Sequence, residues 1–251
     1  MSTAIQFRNK LSLPDRGPEL QNRIVAVVGR KGSGKSTLTR ELLTHCRRLF
    51  LFDTMGEHNW IPDQFTDLAQ SWDYIFAAGS GPADFMGSFI PGEDADDQLE
   101  KDFQEICSAT YEAGNLTLAV EELPMLSQPG YVPSKYNRLI RLGRHRCVNL
   151  LYTGQRLSEC PRRVTAATDV FVLFSHTEPR DVDAIAERCG PEVADLVQKL
   201  DEHEFLVYVV AARSVVLIDP QWYDAVLNTD IAWTPAIGGK SGKKALWSLS
   251  E

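Results

Sequence analysis

Residues 29–36 read Gly-Arg-Lys-Gly-Ser-Gly-Lys-Ser, and the expected architecture follows from this stretch. It comes directly after the apolar run 23–28, which is typical of a strand buried on both faces. The segment after it, 35–46, carries leucines at helical spacing. A glycine-rich loop between a buried strand and a helix is the pattern of a phosphate-binding loop. The sequence therefore predicts that a nucleoside triphosphate binds here.

The residue types in this loop fit the chemistry of ATP and Mg²⁺. Its glycines allow the backbone to turn tightly and direct N–H groups at phosphate oxygens, and the following helix dipole favours the same anion. Lys35 is expected to reach the β- and γ-phosphates, Ser36 to bind Mg²⁺, and Thr37 to lie near the α-phosphate. The predicted ATP-binding residues are Gly29, Arg30, Lys31, Gly32, Ser33, Gly34, Lys35, Ser36 and Thr37.

The rest of the chain alternates between strand-like and helix-like patterns. Strands are predicted at 49–52, 74–76, 116–120, 147–153, 170–174, 204–210 and 214–218, and helices at 94–111, 133–142, 179–189 and 191–200. Alternation of this kind indicates crossover units around a mostly parallel sheet, and the last two strands add an antiparallel edge hairpin. We expect an N-terminal arm (1–22), one P-loop ATPase domain (23–227) and a C-terminal tail (228–251).

Two carboxylates end the predicted strand 116–120. Glu121 and Glu122 would lie beside the phosphate site, because the carboxyl ends of parallel strands meet at one edge of a sheet. We assign Glu121 to Mg²⁺ and Glu122 to the attacking water. A pair of acids favours hydrolysis of ATP over binding alone, although a charged start to a loop would give the same pattern.

A glutamine follows the next predicted strand. Gln155 would lie at the tip of the strand beside the acidic one, where its amide could hydrogen-bond the γ-phosphate or the attacking water. It would then sense the nucleotide state. A polar strand end without a role is the alternative.

In this order, the motifs resemble those of the HerA/FtsK superfamily of P-loop ATPases. The family also shows a strand ending in Asp with a following Gly-Glu, here Asp53-Thr54-Met55-Gly56-Glu57. The first acid of the pair is usually Asp rather than Glu, and Gly154 interrupts the usual Thr-Gln sequence. The resemblance, over about residues 23–220, implies a three-layer α/β fold of the RecA/ASCE type. It is greatest for the genome-packaging ATPases of tailless icosahedral viruses, many of which contain a membrane.

Several arginines cluster just before the strand that leads to Gln155. In the family an arginine of one subunit reaches the γ-phosphate bound by its neighbour, which can be worth about 10³–10⁵ in rate. By resemblance, Arg144 or Arg141 would have this role, with Arg146 third. A solvated basic helix end is the alternative, since cations favour helix C-termini.

The resemblance also implies a hexameric ring that translocates double-stranded DNA. The net charge of −8 excludes a surface that is basic throughout. A ring needs only a few cations per subunit to hold DNA by its phosphates, and Arg162, Arg163 and Lys135 are candidates. The capsid or a portal-vertex protein would be a further partner.

Three other functions fit parts of the pattern. An ATPase for conjugative DNA transfer or filamentous-phage assembly has a similar motif set. A nucleotide-gated assembly protein would use ATP binding with slow turnover. A small-molecule P-loop kinase could use 156–163 as a lid, but the acidic pair and Gln155 position water rather than exclude it.

The remaining composition indicates a cytoplasmic protein, in the host if the chain is viral, that could also be carried in the virion. The five cysteines are odd in number and form no C-x-x-C pair, which argues against a disulfide or zinc framework. No signal peptide and no apolar run long enough to span a bilayer is expected.

Overall fold

A nine-stranded sheet forms the centre of the computed structural model, which describes residues 6–7, 23–44, 46–81, 83–92, 96–211, 214–218, 231–233 and 247–249. The strands are β1 (Gln6–Phe7), β2 (Ile24–Val28), β3 (Arg48–Phe52), β4 (Asp63–Phe65), β5 (Phe85–Phe89), β6 (Thr117–Val120), β7 (Asn149–Gly154), β8 (Val170–Phe174), β9 (Phe205–Val209), β10 (Ser214–Ile218), β11 (Ile231–Trp233) and β12 (Trp247–Leu249). The helices are α1 (Lys35–Thr44), α2 (Leu68–Ser80), α3 (Asp96–Ala113), α4 (Ser134–Leu142), α5 (Arg162–Ala167), α6 (Pro179–Cys189) and α7 (Pro191–Val197). Short 3₁₀ turns span Leu123–Met125, Gly143–Arg146 and Leu157–Glu159.

The order of the strands places the glycine-rich loop after β2 at the middle of the sheet. The order is β10-β9-β8-β2-β7-β6-β3-β5-β4. The strands from β8 to β4 are parallel, β9 pairs antiparallel with β8, and β10 pairs antiparallel with β9. The predicted parallel sheet with a C-terminal antiparallel edge hairpin is therefore confirmed. Because β2, β7, β6 and β3 are parallel neighbours, the segments that follow them share one edge, called here the carboxyl edge.

Alternate residues of the central strands pack into two separate cores. Val25 and Val27 of β2 face a core that includes Leu38 and Leu42 of α1. The other face of the sheet belongs to a larger core built with α2, α3, α4, α6 and α7. Strands covered on both faces read as continuous apolar runs, which is why the sequence showed them clearly. Helices on the two faces complete the expected three-layer architecture.

The predicted strand at 74–76 is wrong. These residues belong to α2, whose N-cap Asp67 accepts a hydrogen bond from the Gln70 backbone N–H at 2.8 Å. Ser71 and Ile75 are both fully buried, and Trp72 stacks on Phe76, so the residues that share a face are four apart, as in a helix. The strand of this region is β5, whose Gly87 lies where a Cβ atom would come within 2.7 Å of the Tyr74 ring.

The expected arm and tail lie mostly outside the described residues. Among the parts that the structure describes, β11 pairs antiparallel with both β1 and β12 in a small separate sheet. The division at residues 22 and 227 stays a prediction. No helix within the described ranges is long and apolar enough to cross a membrane.

Candidate nucleotide-binding and hydrolysis site

The glycine-rich loop connects the carboxyl end of β2 to the first turn of α1. Gly32 (φ 80°) and Gly34 (φ 94°) have left-handed backbone that disfavours any other residue. A Cβ atom at Gly29 would lie 2.5 Å from Ser33 Oγ and 2.8 Å from Phe174. The Leu38 N–H donates to Gly34 O at 3.0 Å, so the helical ladder begins inside the loop. The orphan N–H groups of a ten-residue helix therefore face the loop.

Lys35, Glu122 and Gln155 converge beside this loop. Lys35 Nζ lies 3.8 Å from Glu122 Oε2, and both side chains are more than four-fifths buried. The Gln155 backbone N–H donates to Glu122 Oε1 at 3.1 Å. The Glu122 N–H donates to the hydroxyl of Thr153 at 2.9 Å. Neighbouring strands β6 and β7 thus bring the acid and the glutamine together, as their positions in the sequence predicted.

Glu122 has a strained backbone. Its φ of 49° and ψ of 59° are left-handed, and it precedes the 3₁₀ turn Leu123–Met125. A non-glycine residue held there costs on the order of 1–3 kcal/mol, and such strain is concentrated at functional sites. The strained residue is the one that contacts Lys35, which supports its assignment as the residue that activates water.

Glu121 is placed differently from Glu122. It is 8% exposed and its Oε1 lies 3.1 Å from His58 Nε2. Asp53, at the end of β3, accepts hydrogen bonds from the backbone N–H groups of Glu57 and His58. Asp53, His58 and Glu121 bring potential ligand atoms within 4.8 Å of one another. The two acids at the end of β6 therefore have separate surroundings.

Burial and charge shift the titration of this cluster. Burial raises the pKa of Glu121, and the hydrogen bond from His58 opposes the shift without cancelling it. Burial by itself would lower the pKa of His58, but the hydrogen bond and charge of Glu121, with the charges of Asp53 and Glu57, raise it. The cluster is thus a place where negative charge is costly unless a cation or proton is near.

The residues present fit a magnesium–triphosphate complex. Ser36 and Thr37 are exposed at the loop. Two buried oxygens, Ser33 Oγ and Glu121 Oε2, have no hydrogen-bond partner among the residues that the structure describes. Buried polar atoms usually have partners, so both oxygens are available to bind a ligand group. The predicted Mg²⁺ ligands remain Ser36 and Glu121.

The residue after Gln155 is tied to α6. Arg156 bonds to the buried Asp181 at 3.0 Å and to Glu178 at 2.5 Å. The Gln155 carbonyl also lies 3.3 Å from Nε2 of His176, which is 1% exposed. Sequence reasoning did not single out Asp181 or His176. The backbone around the glutamine is thus fixed on three sides, while the Gln155 side chain itself is exposed.

The arginine cluster lies at the opposite edge of the sheet. Arg141 lies in the last turn of α4, and Arg144 and Arg146 lie in the turn before β7. The six residues of β7 separate that turn from Gln155 by about 20 Å. Arg146 donates to the backbone carbonyls of Tyr111 and Glu112. This structural role argues against its third-ranked assignment.

The two leading arginines are more available. Arg141 and Arg144 are both exposed. Within the described ranges Arg141 has no hydrogen-bond or ion-pair partner, and Arg144 Nε contacts His145 at 3.3 Å. Neither can reach the nucleotide site of its own chain.

The candidate DNA contacts lie in the first turns of α5 and α4. Arg162, Arg163 and Lys135 are exposed. Arg162 forms an ion pair with Glu187 at 2.7 Å. For Arg163 the described part of the chain provides no such partner.

Comparisons with known proteins found solved structures with a similar fold. No family model and no curated protein matches the sequence. The structure is similar to that of the genome packaging NTPase B204 from Sulfolobus turreted icosahedral virus 2 in complex with ATP-gammaS, with a TM-score of 0.64, 23% identity, and coverage of 79% of this chain and 98% of that chain. It is also similar to B204, the DNA-packaging ATPase from Sulfolobus Turreted Icosahedral Virus, with a TM-score of 0.62, 20% identity and coverage of 80% and 99%. For VirB4 of Thermoanaerobacter pseudethanolicus the TM-score is 0.60, with 12% identity and coverage of 82% and 91%. The resemblance suggested by the motifs is confirmed at the level of the fold.

Proposed function

From the fold that this chain shares with a viral packaging NTPase, we propose that it is a Mg²⁺-dependent ATPase that drives double-stranded DNA into a viral capsid. The observation that carries the proposal is the convergence of Lys35, Glu122 and Gln155 beside a glycine loop. A cation for the phosphates, a carboxylate for water and a glutamine whose backbone N–H binds that carboxylate are parts that hydrolysis can use. The B204 structures with ATP-gammaS and AMPPCP support ATP as the substrate.

Each residue has a defined part in this reaction. The loop N–H groups and Lys35 bind the phosphates, and Ser36 and Glu121 would hold Mg²⁺, which neutralises charge that develops on the phosphates. Glu122 accepts the proton of the attacking water, once Lys35 has turned from Glu122 Oε2 to phosphate. The Gln155 side chain orients the water or the γ-phosphate.

The remaining parts come from assembly. In a ring, Arg141 or Arg144 of one subunit would complete the nucleotide site of the next, because about 20 Å of sheet separates these arginines from their own site. Arg163, with Arg162 and Lys135, would contact DNA phosphates in the lumen. We propose a hexamer that acts in the host cytoplasm on a capsid or portal-vertex partner.

The test is ATP hydrolysis by the purified assembly with and without duplex DNA. We expect duplex DNA to stimulate hydrolysis. Lys35→Ala and Glu122→Gln should each lower the hydrolysis rate by at least about 10²-fold. Arg163→Ala should lose the stimulation while keeping the DNA-free rate. Equal rates with and without DNA in the assembled wild type would refute the motor.

The likeness to VirB4 favours a second candidate, an ATPase for conjugative transfer or filamentous-phage assembly. Packaging predicts stimulation by duplex DNA and binding to a capsid or portal-vertex protein. If only single-stranded DNA, or no DNA, stimulates hydrolysis, the second candidate is favoured. Transfer of the γ-phosphate to a nucleoside or metabolite would instead identify a kinase.

A further inference from the structure

His58 lies between the indole of Trp60 and the carboxylate of Glu121. Trp60 Nε1 is 3.1 Å from His58 Nδ1, and His58 Nε2 is 3.1 Å from Glu121 Oε1. The imidazole is 4% exposed, so water does not compete for these bonds. The three side chains form one hydrogen-bonded row that ends on the predicted Mg²⁺ ligand.

The direction of each hydrogen bond follows from the indole. An indole nitrogen can only donate, so His58 Nδ1 must accept and cannot carry a proton while this bond exists. The ring proton is therefore on Nε2, which faces Glu121. Nε2–H donates to Glu121 Oε1, and Trp60 fixes the tautomer that makes this possible.

The other atoms of Glu121 show what this arrangement achieves. Thr54 Oγ1 donates to the Glu121 carbonyl at 3.1 Å, which ties the backbone to the loop after β3. Glu121 Oε2 is buried and has no partner in the described part of the chain. His58 thus holds one carboxylate oxygen. The carboxyl group also lies beside that of Asp53, so a cation at the second oxygen would offset two negative charges.

A metal ion bound by the imidazole itself is the competing interpretation, since Asp53, His58 and Glu121 are close enough to share one. A metal at Nε2 requires a lone pair there, and the proton would move to Nδ1. Nδ1–H would then face the Trp60 N–H, with two donors and no acceptor. The Trp60 bond therefore opposes metal binding by His58.

We propose that Trp60 and His58 are positioning residues, which hold Glu121 Oε1 so that Oε2 is presented to the cation of the Mg–nucleotide complex. The proposal rests on the proposed function, because it takes Glu121 as a ligand of that cation. The positioning of Glu121 also accounts for a glutamate at a site where the family that this chain resembles usually has aspartate. The longer side chain has a partner of its own in the loop after β3. Partners of metal ligands typically change metal affinity by about 10–100-fold.

The experiment measures Mn²⁺ binding by paramagnetic resonance to the full chain with a non-hydrolysable ATP analogue. His58→Ala should weaken Mn²⁺ binding by about tenfold or more and leave analogue affinity in EDTA unchanged. His58→Gln should restore part of the loss, because its amide N–H can replace Nε2–H. Trp60→Phe should also weaken Mn²⁺ binding, because the ring proton is no longer fixed on Nε2. The half-saturating Mg²⁺ concentration for hydrolysis should rise in parallel.

The control is Trp72→Phe, an equal change on α2 where Trp72 stacks on Phe76, and it should leave Mn²⁺ binding unchanged. The proposal fails if His58→Ala binds Mn²⁺ as the wild type does, or weakens analogue binding in EDTA to the same degree. It also fails if the nucleotide-free wild type binds Zn²⁺ or Mn²⁺ and His58→Gln abolishes that binding. If His58→Ala does not fold, an unchanged Trp60→Phe overturns the proposal. A wild type that binds Mn²⁺ and analogue but never hydrolyses ATP would refute the proposed function alone.

Discussion

The left-handed backbone at Glu122 has an energetic consequence that can be separated from its chemistry. Glu122→Ala and Glu122→Gly both remove the carboxylate, so both should abolish hydrolysis. Only glycine adopts φ 49° without strain. We expect Glu122→Gly to be about 1 kcal/mol more stable than Glu122→Ala in urea unfolding.

Glu105 provides the matched control, because it is exposed in the interior of α3 and lies outside the left-handed region. There the order should reverse, with alanine more stable than glycine by about 1 kcal/mol. If alanine is the more stable residue at both positions, Glu122 is not strained.

The acid next to it predicts a dependence of stability on pH. The pKa of Glu121 is raised in the folded chain, so ionisation costs more there than in the unfolded chain. In Mg²⁺-free buffer, Glu121→Gln should raise the free energy of unfolding at pH 7. The extra stability of Glu121→Gln over the wild type should vanish at pH values below the pKa of Glu121 in the unfolded chain. It should grow as the pH rises from that pKa to the pKa of Glu121 in the folded chain, and level off above it. An advantage for glutamine that is independent of pH would contradict this assignment. Urea unfolding from pH 4 to 8 measures it.

At the scale of elements, one buried arginine joins α2 to the sheet. Arg48 of β3 is 4% exposed and donates to the backbone carbonyls of Ala78, Gly81, Ala83 and Asn115. Arg48→Met would leave these carbonyls without their charged donor. We expect a loss of about 3 kcal/mol or more in urea unfolding.

The neighbouring Arg47 is the control for Arg48. Its side chain is 65% exposed and pairs with Asp84 at the surface. Arg47→Met should therefore cost less than about 1 kcal/mol. Equal losses at the two positions would show that the buried contacts do not stabilise the connection between α2 and β5.

Elements with a strong local signal could be predicted from the sequence, and those defined by distant contacts could not. Strand β2, the glycine loop and the acids after β6 were predicted because burial on both faces and loop chemistry leave a local pattern. Strand β5 was missed because Gly87, needed for the approach of Tyr74, weakens the strand signal. Aromatic residues at 74–76 suggested a strand, although Asp67 was a usable N-cap signal for α2.

The same distinction holds for the candidate site. The closeness of Glu122 and Gln155 could be predicted, since both follow strands that a parallel sheet places side by side. The roles of His58 and Trp60 could not be predicted, because the loop after β3 has no periodic pattern. The role of His58 follows only from its tertiary contact with Glu121. The separate surroundings of the two acids are a tertiary feature for the same reason.

At the scale of the whole molecule, the distance between the arginines and the nucleotide site predicts complementation between subunits. Arg141→Ala and Glu122→Gln should each be inactive, but a subunit that keeps Glu122 can receive Arg141 from a neighbour. An equal mixture, assembled together, should recover up to about one quarter of the wild-type hydrolysis rate if subunits mix at random. Arg144→Ala takes the place of Arg141→Ala if Arg144 is the acting residue.

A mixture of Lys35→Ala with Glu122→Gln is the control. Both changes fall in the site of one subunit, so no pairing of the two variants restores that site. Failure of both arginine mixtures to recover activity would show that neither arginine acts between subunits.

The ion pair between Lys35 and Glu122 also affects how tightly ATP binds and how readily the product nucleotide leaves. Each group neutralises the other before a triphosphate arrives, so capture of ATP exchanges one anionic partner of the lysine for another and gains only the difference. The reverse exchange favours release of ADP, because the Glu122 carboxylate can pair with the Lys35 ammonium again. The proposed motor would have to reset after every turnover, and it would gain speed from such moderate affinity.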